Sequence, residues 1–124
     1  MTTTLINQDI QGCILDCQDC HRICLDTMQH CLQLGGSHAE MEYLQALLDC
    51  AEICVTSANF MLRGSALHRR VCGACAEACG RCVEVCERFG SDPRMKACAE
   101  ICRHCAASCH RVATPAVSSV MKAA

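Results

Sequence analysis

The chain has 124 residues and a formal charge of −2 at pH 7, enough for one domain and without the basic surplus that a nucleic-acid partner requires. It carries 16 Cys, no Trp, and only Tyr43, Phe60 and Phe89 as aromatics, so its core must be built from Leu, Ile, Val, Met, Ala and Cys. No apolar run is long enough to span a bilayer, which argues against a membrane partner.

The opening MTTTLINQDIQGC has no basic stretch, apolar core or cleavage site of a secretory signal, so a cytoplasmic chain with reduced thiols is expected. The first helix is expected over 8–34. Steps of three and four place Ile10, Cys13, Cys17, Cys20, Cys24, Thr27, Cys31 and Leu34 on one face. GGS at 35–37 breaks it, and Ser37 with Glu40 spells a capping box for a second helix over 38–63. That helix lines up Tyr43, Leu47, Cys50, Cys54, Ser57 and Met61. RGS at 63–65 ends it, and Ser65 is placed to cap a third helix over 66–89. Its face is His68, Cys72, Cys75, Cys79, Cys82, Cys86 and Phe89. Gly90 reads as the residue that leaves this helix, and Ser91 or Asp92 as the cap of a fourth over 93–112 with Pro93 in its first turn. The fourth face is Met95, Cys98, Cys102, Cys105, Cys109 and Val112. Thr114-Pro115 stops the helix, and 114–124 reads as a loosely ordered tail.

Connections this short join antiparallel neighbours. The expected fold is all-α, an up-down-up-down four-helix bundle over residues 1–113. DCAEIC at 49–54 resembles ACAEIC at 97–102, as if one helix pattern were reused. Antiparallel order gathers Cys13, Met61, His68, Cys72, Cys109 and His110 near one end, and Met28, Phe89 and Met95 near the other.

All 16 cysteines fall on these faces, so the bundle axis should be lined with sulfur. Disulfides fit poorly, because neighbours three or four residues apart on one helix cannot take the required dihedral without strain. Plain packing fits poorly too, since Leu or Ile fills such a seam better. The CxxC steps at 17–20, 72–75, 79–82 and 102–105 superficially suit zinc, but zinc and iron–sulfur motifs set Cys in knuckles and irregular turns. Soft thiolates select Cu(I), which accepts two or three ligands. The CxxxC pairs 13/17, 20/24, 50/54, 75/79, 82/86, 98/102 and 105/109 each offer two sulfurs on one face. Charge neutrality favours loading on the order of one Cu(I) per thiolate. A zinc buffer or zinc-stabilised bundle, and an iron–sulfur or thiol redox protein, stand beside this reading. No nucleophile, base and orienting group can be assembled, so catalysis is not expected.

DCAEICVTSANFM, CGACAEACGRC and CAEICRHCAASC, on four Cys-striped helices across 10–112, resemble the bacterial copper storage proteins of the cytosolic type. That resemblance implies a bundle that stores many Cu(I) ions on its 16 seam cysteines, commonly as a homotetramer, with a copper chaperone as a conceivable partner. It also implies non-Cys ligands near an open end where copper is taken in. Met61 and His68 are the candidates there, because each lies on its seam one turn beyond the neighbouring position. His104, His110, His21 and His30 flank the seams and are expected to face solvent. Ile14, Ile23, Leu25, Leu32, Leu44 and Leu48 widen the core stripe or cover an interface between copies.

Overall fold

The computed structural model describes residues 8–114. Four α-helices run in order: α1 (Gln8–Leu34), α2 (Met41–Leu62), α3 (His68–Glu87) and α4 (Pro93–Ala113). A short 3₁₀ turn, Gly36–Ala39, links the first two. Among the described residues there is no strand. At 1.5 Å per residue the helices are about 30–40 Å long. α1 packs on α2 and α4, and α3 packs on the same two, so α1/α3 and α2/α4 are the diagonals of a square bundle. This is the antiparallel arrangement expected from the loop lengths. The expected tail lies outside the described residues except for Thr114.

Each junction has its own chemistry. Gly35 takes φ +68° after α1, and its N–H closes on the Cys31 carbonyl at 3.0 Å. At the end of α2, Gly64 takes φ +63°. Its N–H bonds the Met61 carbonyl (3.1 Å) and the Ser65 N–H bonds the Phe60 carbonyl (3.0 Å), a Schellman ending. Asp92 caps α4 as expected, accepting from the Arg94 N–H, with Pro93 in the first turn.

Three expected boundaries differ. The Ser37–Glu40 capping box does not form. Ser37 lies inside the 3₁₀ turn and its carbonyl accepts from the Glu40 N–H at 3.3 Å, so α2 starts at Met41 behind an extended Glu40. Ser65 Oγ accepts from the Leu67 N–H at 3.1 Å, which caps the turn ahead of α3; the helix begins at His68 instead of 66. Gly90 does not adopt a positive φ. α3 ends at Glu87 and the chain leaves through successive tight turns, Phe89 N–H to Cys86 and Asp92 N–H to Phe89.

The core is the set of four seams. Leu47, Met95 and Val85 are its largest fully buried side chains, each contributing roughly 1.5–3 kcal/mol of burial. Ile14 is buried, and Ile23, Leu25 and Leu44 pack partly buried against the core, whereas Leu32 and Leu48 are exposed. Tyr43 and Phe89 stack edge to face at 4.9 Å over one end, where Met95 is wholly buried and Met28 partly so. Leu34, expected on the seam, is exposed because α1 ends there. Charged residues between the cysteines face water, and Arg88 and Arg81 both reach Glu42 to tie α3 to α2.

Candidate metal centre

Every cysteine has zero solvent exposure and none is in a disulfide. Helical periodicity explains this outcome: steps of three and four keep a side chain on one stripe, and four stripes face each other across the axis.

The shortest sulfur contacts run between helices. Cys13 and Cys17 each lie 3.5 Å from Cys109, Cys54 lies 3.5 Å from Cys75, and Cys20 lies 3.6 Å from both Cys50 and Cys102. The CxxxC pairs 13/17, 20/24, 75/79 and 98/102 sit at 3.9–4.0 Å. Sulfurs also meet along both diagonals, Cys20–Cys79 and Cys24–Cys82 at 4.0 Å, Cys54–Cys105 at 3.9 Å and Cys50–Cys102 at 4.0 Å. The backbones on those diagonals do not touch. The sulfurs therefore fill the axis. A CxxxC pair on one helix supplies two sulfurs, and single sulfurs from two other helices complete the group around it.

Five of these groups each have all four sulfurs within 4.8 Å of one another, and they are not the whole set. In order along the axis they are 17/75/105/109, 54/75/79/105, 20/50/54/79, 20/24/50/102 and 24/82/98/102. Each shares two cysteines with the next, so the groups form an unbroken line joined at their edges. With metal–sulfur bonds of about 2.3 Å, sulfurs 3.5–4.0 Å apart subtend roughly 100–120° at an ion, a trigonal or tetrahedral angle. A linear bridge would need about 4.6 Å. Four sulfurs this close enclose space for one ion, not for a multi-iron cluster.

Acidity is uneven along the line. Hydrogen bonding to Cys102, then to Cys20 and Cys24, holds the Cys50 thiol low, while bonding to Cys105, Cys17 and Cys20, together with burial, holds Cys54 high. Burial, followed by the charge of Asp92, pushes Cys31 up to about 11. Bonding to Cys109 lowers Cys72, but bonding to Cys13 and burial push it up to about 12. In the metal-free chain many sulfurs thus keep a proton and share it with a neighbour.

The end residues are placed as follows. Cys13 lies 3.5 Å from Cys109, and Cys72 and Met61 are buried at the same end. His68 is half-buried with Nδ1 on the Ser65 carbonyl at 2.9 Å, which fixes the ring and leaves Nε2 as its second nitrogen. His104 is largely exposed, 3.5 Å from Asp16, and His110 is exposed. Two histidines depart from expectation. His21 is part-buried on the Ala51 carbonyl at 2.7 Å, and His30 is part-buried against Asp92. Cys31 meets Met95 Sδ at 3.7 Å at the opposite end.

The sequence profile of the copper storage proteins matches residues 6–114. The chain belongs to the copper storage protein family. Two solved structures are similar to this family member. One is the Nmul_A1745 protein from Nitrosospira multiformis, at 47% identity and TM-score 0.81, covering 86% of this chain and 95% of that one. The other is the Cu(I)-bound copper storage protein BsCsp3, at 28% identity and TM-score 0.81, covering 86% of this chain and all (100%) of that one. No curated protein matches.

Proposed function

We propose that this chain stores and buffers many Cu(I) ions on its core thiolates in the cytoplasm, limiting copper toxicity and supplying copper on demand, without catalysis of its own. The observation that carries this is the unbroken line of edge-sharing sulfur groups. Because neighbouring groups share two cysteines, an ion can pass from one to the next while keeping two thiolates, so filling needs no opening of the bundle side. Bridging sulfurs also let the ion count approach the thiolate count, which cancels the charge that ionised buried thiolates would otherwise carry. A reducing compartment keeps these thiols available. In this reading Met61 and His68 take in ions at the Cys13/Cys72/Cys109 end, because a thioether and an imidazole both suit Cu(I). Exposed Leu15, Leu32 and Leu48 supply apolar surface for association of copies, a tetramer by the family resemblance.

One feature favours zinc as a second reading. The groups 17/75/105/109, 20/50/54/79 and 24/82/98/102 share no cysteine, so three ions could each take four thiolates. The two readings differ in capacity. Titration of the reduced protein with Cu(I) against a chromophoric chelator is expected to saturate well above four ions, toward about one per Cys by the neutrality argument. Saturation at three or four would sink the storage reading and favour tetrahedral, zinc-type sites. Metal analysis of protein purified with both ions supplied is the companion measurement.

A further inference from the structure

We propose a second, sulfur-free metal site at the end of the bundle opposite Met61 and His68, formed by His30, His38 and Asp92 and suited to one Zn²⁺ ion. Two consecutive segments, the last turns of α1 and the 3₁₀ turn, meet the sequence-distant cap of α4 there. His30 Nε2 lies 2.8 Å and His38 Nε2 3.0 Å from the same oxygen, Asp92 Oδ2. Two imidazoles converging on one carboxylate oxygen supply the N₂O donor set that a borderline divalent ion takes, with a water in the fourth position.

The separations are close to those a bound ion needs. Metal bonds of about 2.0–2.1 Å at tetrahedral angles set donors roughly 3.3–3.4 Å apart, so each imidazole nitrogen must draw back from the carboxylate oxygen by about half an ångström or less. Asp92 and His38 are already held from outside. Asp92 Oδ1 accepts from the Arg94 N–H at 2.9 Å, and the His38 ring stacks on Phe89 at 4.1 Å. The His30 and His38 rings stand at 88° with centroids 6.0 Å apart. Supports of this kind orient ligands before the ion arrives. The three side chains are 19, 21 and 14% exposed, which shields the donors while leaving an approach for ion and water. The carboxylate makes this donor set harder than the thiol line, so the two sites would sort Zn²⁺ from Cu(I) by softness.

The test uses Cu(I)-loaded protein, with the thiolates saturated first and that capacity recorded on its own. Zn²⁺ is then added and the imidazole ¹⁵N signals followed. One Zn²⁺ per chain should stay after desalting, with the Nε2 signals of His30 and His38 shifted and those of His104 and His110 unmoved. Asp92→Asn keeps an α4 cap but removes the charge, and His38→Gln removes a ligand. Each should weaken Zn²⁺ retention by at least about ten-fold while the copper capacity and the far-UV spectrum stay the same. Unmoved His30 and His38 signals, or equal retention in both variants, would show a hydrogen-bonded triad only and overturn the site. Neither outcome bears on whether copper fills the thiolates.

Discussion

The sulfurs of this core are not equivalent, and their position in the line says which of them matter. Cys102 belongs to two of the edge-sharing groups and meets Cys20, Cys24, Cys50 and Cys98. Cys31 has Met95 as its nearby sulfur and belongs to none of the five groups. Cys102→Ala should therefore lower the Cu(I) capacity by more than one ion, because it breaks a bridge, whereas Cys31→Ala should cost one ion at most. Chelator competition on the two variants checks this, and equal losses would contradict the bridged line. Ser57 is a different case. It lies on the α2 seam, fully buried, and its hydroxyl has no hydrogen-bond partner among the described residues. An unsatisfied buried hydroxyl costs about 1–3 kcal/mol, so Ser57→Ala should leave the metal-free protein as stable or up to about 1 kcal/mol more stable. If denaturant unfolding instead shows a loss above about 1 kcal/mol, the hydroxyl is serving the sulfur network, through an O–H to thiolate bond that Ala cannot make.

At the level of the elements, the helices were legible because their signal repeats. The 3–4 rhythm of Cys13 through Cys31, and of Cys72 through Cys86, leaves one way to bury those residues, and all of them are buried. The junctions carry one or two residues each, and there local motifs compete. Ser37 matched a capping box, but a left-handed Gly35–Gly36 pair starts a 3₁₀ turn that absorbs it. Gly90 matched a helix exit, but successive tight turns take the chain out without a positive φ. Gly64, like Gly35 and Gly36, needs left-handed geometry. A Cβ there meets nothing within 4 Å, so the cost of Gly64→Ala is backbone strain alone, about 1 kcal/mol, while Gly90→Ala, with its nearest contact an ordinary 3.6 Å, should be close to neutral. Thermal unfolding separates the two by a few degrees. The His30–His38–Asp92 cluster had no sequence signature, because it depends on where two loops pass. The only hint was antiparallel order, which puts the end of α1 and both connections on one side.

For the whole molecule, the question is whether metal builds the bundle or only fills it. Every Cys is sequestered from solvent, neighbouring sulfurs lie within hydrogen-bond reach of one another, and three of the eight helix ends are closed by a glycine turn or a side-chain cap. Thiols in this state pack as small apolar groups, so the hydrophobic and hydrogen-bond terms that hold the helices together are in place before loading. Metal then replaces protons. Loading the metal-free chain should release up to about one proton per Cys that binds, which a weakly buffered titration would register. Removing copper with a strong chelator under reducing conditions should leave far-UV helicity nearly unchanged. The unfolding temperature should nevertheless fall, because an ion bound only by the folded arrangement adds stability that grows with the logarithm of its free concentration over its dissociation constant. A collapse of helicity on copper removal would contradict this and would mean that the sulfur seams cannot hold four helices together as thiols. An unchanged unfolding temperature would contradict the other half, that the ions are held by sulfurs from several helices at once.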